Sequence, residues 1–146
     1  MKSLILIRSA LTALLVFIFS SQSFAEQKPI DIFSLVDEND PILKSKSVDF
    51  DFSNPPVNPN EFASTLVETC KKHGGFGLAA NQCGYSFRVF VMGQGDDYIA
   101  CYNPTIVESS DDESVIVEGC LSFPGLFISI KRPRTIRARF ANEKGI

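Results

Sequence analysis

The stretch GGFGLAANQCG, residues 74–84, joins a predicted helix to a run of predicted strands. Gly75 and Gly77 allow backbone conformations and close approaches that a side chain would block. The small apolar residues 78–80 then lead to the amide side chain of Gln82. Taken alone, the pattern is typical of a helix-to-strand turn, so its meaning depends on what the rest of the chain places beside it.

The residues before this stretch predict one amphipathic helix. Asn58 is a favoured capping residue, Pro59 suits a first helical turn, and Glu61 follows at the capping-box spacing. Apolar residues that would share one buried face then recur every four positions, namely Phe62, Leu66 and Cys70. The helix is expected to end within residues 71–74, with His73 as a partial positive charge at its C-terminus.

The residues after Gly84 predict strands. Six short β-branched or aromatic runs, FRVFVM, YIACY, TIVES, SVIVE, LFISIK and TIRARF, are separated by GQGDD, NP, SDDE and RPR. Residues 26–57 are expected to form an extended lead-in and a Pro/Asn-rich loop. The chain is therefore predicted to be one α+β domain, residues 26–146, with a mostly antiparallel sheet.

The overall composition narrows the class of partner. The 146 residues are 45% hydrophobic and include 13 Phe, enough for one packed core. The formal net charge of -3 and the lack of a dense Lys/Arg run exclude a nucleic-acid partner. A small molecule or a peptide is the expected ligand.

Residues 1–25 have the layout of a signal peptide. Lys2 and Arg8 flank the run SLILI, an uncharged apolar run follows, and small residues at 23–25 suit a signal peptidase. The apolar run is too short to span a bilayer. A cleavable export signal is predicted, and an organellar presequence, an uncleaved anchor and a wrongly assigned start codon remain as alternatives.

The four cysteines contain no CxxC pair, which argues against a structural zinc site. In an exported chain, a disulfide among Cys70, Cys83 and Cys101 is allowed, and spacing does not select the pair. Cys120 lies in EGCLSFPG, residues 118–125. A functional thiol needs partners that make it a thiolate, and the rest of the chain must supply them.

The two stretches together resemble the first two signature motifs of the peptide deformylases, GxGLAAxQ and EGCLS. Both match without a mismatch, in the expected order, and the resemblance extends over residues 32–146. It implies an α+β fold in which antiparallel strands surround a long helix that carries a third motif, HExxH. It also implies hydrolysis of the N-formyl group of formyl-methionyl peptides or nascent chains.

By the same resemblance, Cys120 would bind a divalent metal together with two histidines. Fe²⁺ is the typical ion, and Zn²⁺, Ni²⁺ and Co²⁺ are substitutes. The Gln82 side chain and the Leu121 backbone N–H would donate to the oxyanion of the tetrahedral intermediate.

The resemblance also assigns the substrate pocket and one ion pair. Phe76, Gly77 and Ile116 would contact the methionine and the peptide backbone. Glu118 is expected to pair with Arg132 across the sheet.

One departure from the family pattern puts activity in doubt. His73 is the single histidine of the sequence, and no HExxH motif occurs. The run TIRARF and the turn ANEKG form an unfinished hairpin, so we expect a C-terminally truncated domain that lacks the metal-binding helix. As given, the 146 residues are expected to bind metal poorly and to hydrolyse nothing at a useful rate.

Two other functions and one conflict of location stay open. The chain could be a non-catalytic formyl-peptide-binding remnant or a non-functional truncated homologue. It could also be a cysteine hydrolase that uses Cys120 or Cys83 with His73 as base. The leader favours export, whereas the resemblance favours the cytoplasm or an organelle, and no membrane partner is expected beyond the leader.

Overall fold

The computed structural model describes residues 32–146, so the predicted export leader, residues 1–25, lies outside the described residues. The chain forms helix α1 (Pro59–Lys72) and strands β1 (Gly77–Ala79), β2 (Val89–Gln94), β3 (Asp97–Ser109), β4 (Glu113–Cys120), β5 (Phe123–Pro133) and β6 (Ile136–Ala141). Two 3₁₀ turns, Pro41–Lys44 and Ala80–Cys83, complete the elements. The α+β class with antiparallel sheets is confirmed. Within residues 32–146, no helix has the length and apolar character needed to cross a membrane.

Helix α1 begins and ends where its capping residues predict. The Asn58 side chain accepts hydrogen bonds from the N–H groups of Asn60 and Glu61, at 3.0 and 3.2 Å. His73 is the C-terminal cap, and Gly74 follows with a φ of 68°, a conformation that favours glycine. The buried face consists of Phe62, Ala63, Leu66, Thr69 and Cys70.

A four-stranded antiparallel sheet in the order β1-β2-β3-β6 supports α1. Leu78 of β1 pairs with Val91 of β2, which pairs with Ala100 of β3. The helix packs against this sheet, and Leu66, Val91 and Tyr102 are all 0% exposed at the contact. The core therefore lies between α1 and the β1–β2–β3 part of the sheet.

The predicted strand break at residues 103–104 is wrong, because β3 runs unbroken from Asp97 to Ser109. The sequence Asn-Pro normally ends a strand, since proline has no N–H to donate. Here Asn103 takes a left-handed φ of 49°, and the register with β6 shifts between Tyr102 and Thr105. The Asn103 side chain also exchanges hydrogen bonds with the backbone of Phe50, at 2.7 and 2.9 Å. The strand continues through a bulge that distant residues stabilise.

Strands β4 and β5 form a separate two-stranded antiparallel hairpin. A register shift between Gly119 and Cys120 marks a bulge at the end of β4. The apolar side chains at positions 115–117 and 126–128 are between 45% and 70% exposed. The two strands of the hairpin are therefore mostly exposed, and the EGCLS residues lie at its closed end, where Leu121 and Ser122 form the turn.

The lead-in segment packs against α1 and the GGFGLAANQCG stretch. The Phe33 N–H donates to the Thr69 hydroxyl at 3.0 Å, and the Val36 N–H donates to the Gln82 carbonyl at 2.9 Å. These two bonds fix the path of residues 33–36, which places Leu35 beside the candidate site.

The predicted turn at ANEKG, residues 141–145, is present after β6. The Gly145 N–H donates to the Asn142 carbonyl at 3.0 Å, and Gly145 has a φ of 78°.

Candidate active site

The Gln82 side chain lies in the 3₁₀ turn Ala80–Cys83, directly after β1. Its Oε1 accepts from the Ala79 N–H at 2.9 Å. Its Nε2 donates to the Ser122 hydroxyl at 3.0 Å and lies 3.7 Å from the Cys120 Sγ. The first predicted motif therefore contacts the second through one carboxamide.

Cys120 ends β4, and it is the one exposed cysteine of the described residues. The Gln82 Nε2 lies within hydrogen-bonding distance of its sulfur, at 3.7 Å. Cys120 and Gln82 are 38 residues apart in sequence, and the fold brings them together as predicted.

Leu121 follows Cys120 in the turn of the hairpin and packs against Gly75, which lies just after helix α1. A Cβ atom at Gly75 would lie 2.7 Å from the Leu121 Cδ1 and 3.2 Å from the Cys70 Sγ. Both distances are shorter than ordinary contacts, so only glycine fits at position 75 without a shift of Leu121. The two motif segments therefore pack directly on each other.

A cleft of about 980 Å³ opens beside these residues. Gly77, Gln82, Cys120 and Leu121 line it, and Phe76 stands at its wall with 71% of its surface exposed. Its other walls are lined mainly by apolar residues of the lead-in and the hairpin, among them Leu35, Val117, Phe123, Leu126 and Phe127. The volume suits a peptide side chain with part of its backbone.

The structure does not place Ile116 in this cleft, where Val117 takes the corresponding position. Successive side chains of a strand point to opposite faces, and the bulge between Gly119 and Cys120 interrupts that alternation. The resemblance placed Ile116 in the substrate pocket, whereas Val117 lines the cleft.

The predicted ion pair between Glu118 and Arg132 is present. The Arg132 Nε and Nη2 donate to the two Glu118 carboxylate oxygens at 2.5 and 2.7 Å, a bidentate arrangement. Hydrogen bonding from Arg132 lowers the pKa of the Glu118 carboxyl below its ordinary value, against a smaller opposing effect of burial. Among the described residues that line the cleft, the one carboxylate is therefore neutralised by a cation.

The other cysteines are buried free thiols. Burial, and to a smaller extent the nearby Cys70, raises the pKa of the Cys83 thiol to about 11. A thiol with that pKa is a poor nucleophile at neutral pH. No hydrogen bond joins His73 to a cysteine side chain within residues 32–146. This arrangement opposes the cysteine-hydrolase alternative.

The family model described as Polypeptide deformylase matches residues 32–146. The chain belongs to the polypeptide deformylase family. The match spans every described element, from the lead-in segment to β6.

Relatives named peptide deformylase support this membership. The protein of Thermotoga petrophila is 38% identical over 111 residues, covering 73% of this chain and 63% of the relative. That of Thermotoga maritima is 37% identical over 109 residues, with coverage of 73% and 63%. The chain therefore spans less than two thirds of the length of these two relatives.

Solved structures agree with the fold. The crystal structure of peptide deformylase from Thermotoga maritima has a TM-score of 0.71 and 34% identity, over 80% of this chain and 78% of that chain. Peptide deformylase from Thermus thermophilus has a TM-score of 0.72 and 29% identity, over 78% of this chain and 67% of that chain.

Deformylases depend on a metal ion, and Cys120 is the side chain of this centre suited to bind one. Within residues 32–146, no group of three or more His, Cys, Asp or Glu side chains could hold an ion. Catalytic metal sites of this kind use about three protein ligands. The described residues thus fit one ligand position and do not complete the site.

Sequence reasoning missed three residues of the cleft region. Ser122 contacts Gln82, and its place within EGCLS was the available signal. Tyr98 donates from its hydroxyl to the Gly75 carbonyl at 2.7 Å, a contact that no local pattern indicates. His73 was predicted as a helix cap and, in the cysteine-hydrolase alternative, as a base, and its position on the wall of the cleft was missed.

Proposed function

We propose that this chain supplies the substrate cleft and part of the catalytic centre of a peptide deformylase. The reaction is hydrolysis of the N-formyl group of formyl-methionyl peptides or nascent chains. Water adds to the formyl carbon, the C–N bond breaks, and formate and a free amine leave. The observation that carries the proposal is the contact of Gln82 with Cys120, Nε2 to Sγ 3.7 Å, at the wall of the cleft.

In this proposal Gln82 and Leu121 bind the oxyanion of the tetrahedral intermediate. The Gln82 Nε2 lies beside Cys120, and the Leu121 N–H belongs to the next residue along the chain. A preorganised donor of this kind lowers the barrier by about 3 kcal/mol in comparable sites. The Ala79 N–H binds the Gln82 Oε1, so the carboxamide presents Nε2, and not its oxygen, on the side of Cys120.

The methionine side chain is proposed to lie against Phe76, Gly77 and Val117. Phe76 offers an exposed aromatic face, and Val117 is 70% exposed on the same cleft. An unbranched thioether side chain adapts well to such an apolar wall. The carboxylate among the described cleft residues, Glu118, is paired with Arg132, which favours a neutral ligand group over a charged one.

Metal dependence is proposed for the whole protein, with Cys120 as one thiolate ligand and Fe²⁺ as the typical ion. A bound divalent ion would lower the pKa of a water and polarise the formyl carbonyl. The described residues hold one of the required ligands, and His73 caps α1 instead of joining Cys120. We therefore expect the 146 residues alone to bind metal weakly and to lack useful activity.

A second candidate is formyl-peptide binding without catalysis. The donor set favours it, because cleft and oxyanion donors are present among residues 32–146 while a three-ligand metal group is not. Titration of the 146-residue chain with formyl-Met-Ala, followed by NMR, tests this candidate. Shifts confined to the cleft residues support it, and a spectrum unchanged at millimolar peptide rejects it.

The catalytic proposal is tested by formate release from formyl-Met-Ala. The protein expressed from its complete gene should release formate, and a chelator should stop the reaction. Gln82→Leu should lower kcat by about 100-fold, because one oxyanion donor is lost. Gln94→Leu, at an exposed position of β2 outside the cleft, is the matched control and should keep the wild-type rate. Equal rates for the two variants would reject the proposed role of Gln82.

A further inference from the structure

The carboxamide of Gln82 can adopt two orientations, which exchange the positions of its oxygen and its nitrogen. The last torsion of a glutamine side chain is broad and roughly two-fold, so the amide plane rotates easily when nothing holds it. A carboxamide has one acceptor oxygen and two N–H donors on Nε2. For an oxyanion donor, a rotated amide is harmful, because it would present oxygen to a developing negative charge.

Two groups hold the Gln82 amide from opposite ends. The Ala79 N–H is a donor, so it binds Oε1, at 2.9 Å. The Ser122 hydroxyl accepts from Nε2 at 3.0 Å. With one Nε2 hydrogen directed to Ser122, the other is available on the side where the Cys120 Sγ lies, 3.7 Å away.

Ser122 is unusual among the hairpin residues in being buried. It is 6% exposed, whereas its neighbour Phe123 is 38% exposed. A buried hydroxyl costs free energy unless it is hydrogen-bonded, and Gln82 supplies that bond. Position 122 therefore requires a small side chain that also carries a hydrogen-bond acceptor.

We propose that Ser122 is a positioning residue that locks the Gln82 carboxamide so that one N–H points into the cleft beside Cys120. Ser122 acts through Gln82 and does not itself touch the substrate. The inference rests on the proposed oxyanion role of Gln82. Loss of the Ser122 oxygen leaves Nε2 without its anchor, and the amide then populates orientations that do not serve the reaction.

The direct test is the side-chain mobility of Gln82 in the full 146-residue chain, measured by ¹⁵N relaxation of its Nε2 group. In the wild type, the order parameter should be close to the value of about 0.85 found for rigid backbone. In Ser122→Ala it should fall below about 0.6, the range of flexible groups. Ser122→Thr keeps the oxygen and should retain the rigid value. Ser129→Ala, at an exposed position of β5, is the matched control and should change nothing.

A mobile Gln82 amide in the wild type, or a rigid one in Ser122→Ala, would overturn the proposal. If Ser122→Ala does not fold, Ser122→Cys gives the same comparison, because sulfur is a weaker acceptor in the same place. The measurement needs no metal, substrate or turnover. If Gln82 is rigid and becomes mobile without Ser122, while the protein expressed from its complete gene releases no formate, the anchoring is supported and only the proposed function is contradicted.

Kinetics of the protein expressed from its complete gene give a second readout. Ser122→Ala should lower kcat about 10-fold and change KM by less than about twofold, because an oxyanion donor acts mainly in the transition state. Ser122→Thr should restore most of the rate. A raised KM with an unchanged kcat would contradict the positioning role.

Discussion

The apolar residues of the α1–sheet core are buried, whereas those of the β4–β5 hairpin are mostly exposed. In the core, Leu66, Val91 and Tyr102 are 0% exposed. In the hairpin, Val117 and Phe127 are 70% and 69% exposed. The first region is stabilised by burial, whereas the second contacts the GGFGLAANQCG stretch through its turn, Leu121 and Ser122, where the candidate site lies. The candidate site thus lies where the exposed hairpin meets the buried part of the molecule.

The largest expected effect is a difference in stability between these two regions. Leu66→Ala should lower the free energy of unfolding by about 3 kcal/mol, because it opens a cavity in a fully buried site. Val117→Ala should change it by less than about 0.5 kcal/mol. Urea unfolding of both variants, followed by circular dichroism, measures the difference. Equal losses would mean that the hairpin belongs to the same packed core.

A smaller effect is expected at the junction itself. Gly75→Ala should cost about 2 kcal/mol, because the added methyl would lie 2.7 Å from the Leu121 Cδ1. In a Leu121→Ala background that atom is absent, so the same substitution should cost clearly less. A double-mutant cycle from urea unfolding measures this coupling. If the two losses of unfolding free energy are additive, the side chain at position 75 does not clash with Leu121.

A smaller loss of stability is expected when a hydrogen bond to the loop at Gly75 is removed. Tyr98→Phe removes the hydrogen bond to the Gly75 carbonyl, which still accepts from the Cys70 thiol at 3.3 Å. The expected loss of unfolding free energy is about 1 kcal/mol, with faster amide exchange confined to residues 75–77. Tyr85→Phe is the matched control, because Tyr85 contacts Phe62 through its ring. A similar loss of unfolding free energy in both variants would show that the Tyr98 hydrogen bond makes no specific contribution to stability.

The smallest effect concerns the pH dependence of the hairpin. Hydrogen bonding from Arg132 lowers the pKa of Glu118 in the folded chain, so the pairing is complete above the unfolded pKa and is lost as pH falls through the folded one. A ¹³C titration should therefore place the Glu118 midpoint below the usual glutamate value of about 4.3. Arg132→Gln should move the midpoint upward. A midpoint unaffected by Arg132→Gln would contradict the ion pair.

Local signals were sufficient for some elements and insufficient for others. Asn58, Pro59 and the apolar repeat predicted α1, because capping and periodicity act within a few residues. The Asn103-Pro104 step was predicted to end a strand. That prediction failed because Asn103 is held by hydrogen bonds with Phe50, which is 53 residues away and gives no local signal. Hydrogen bonds from residues distant in sequence thus override a local turn signal.

The candidate site divides in the same way. The two motifs predicted that Gln82 and Cys120 meet, and the structure brings them together. Ile116 was assigned to the cleft, and the bulge beside Cys120 places Val117 there instead. A bulge depends on cross-strand register, which residue types along one strand do not reveal.

The most direct test of the account is formate release from formyl-Met-Ala by the protein expressed from its complete gene, compared with its Cys120→Ser variant. The account predicts release by the wild type and a rate reduced to near background in the variant, since a hydroxyl replaces the proposed thiolate ligand. A Cys120→Ser protein that is folded and releases formate at the wild-type rate would contradict it.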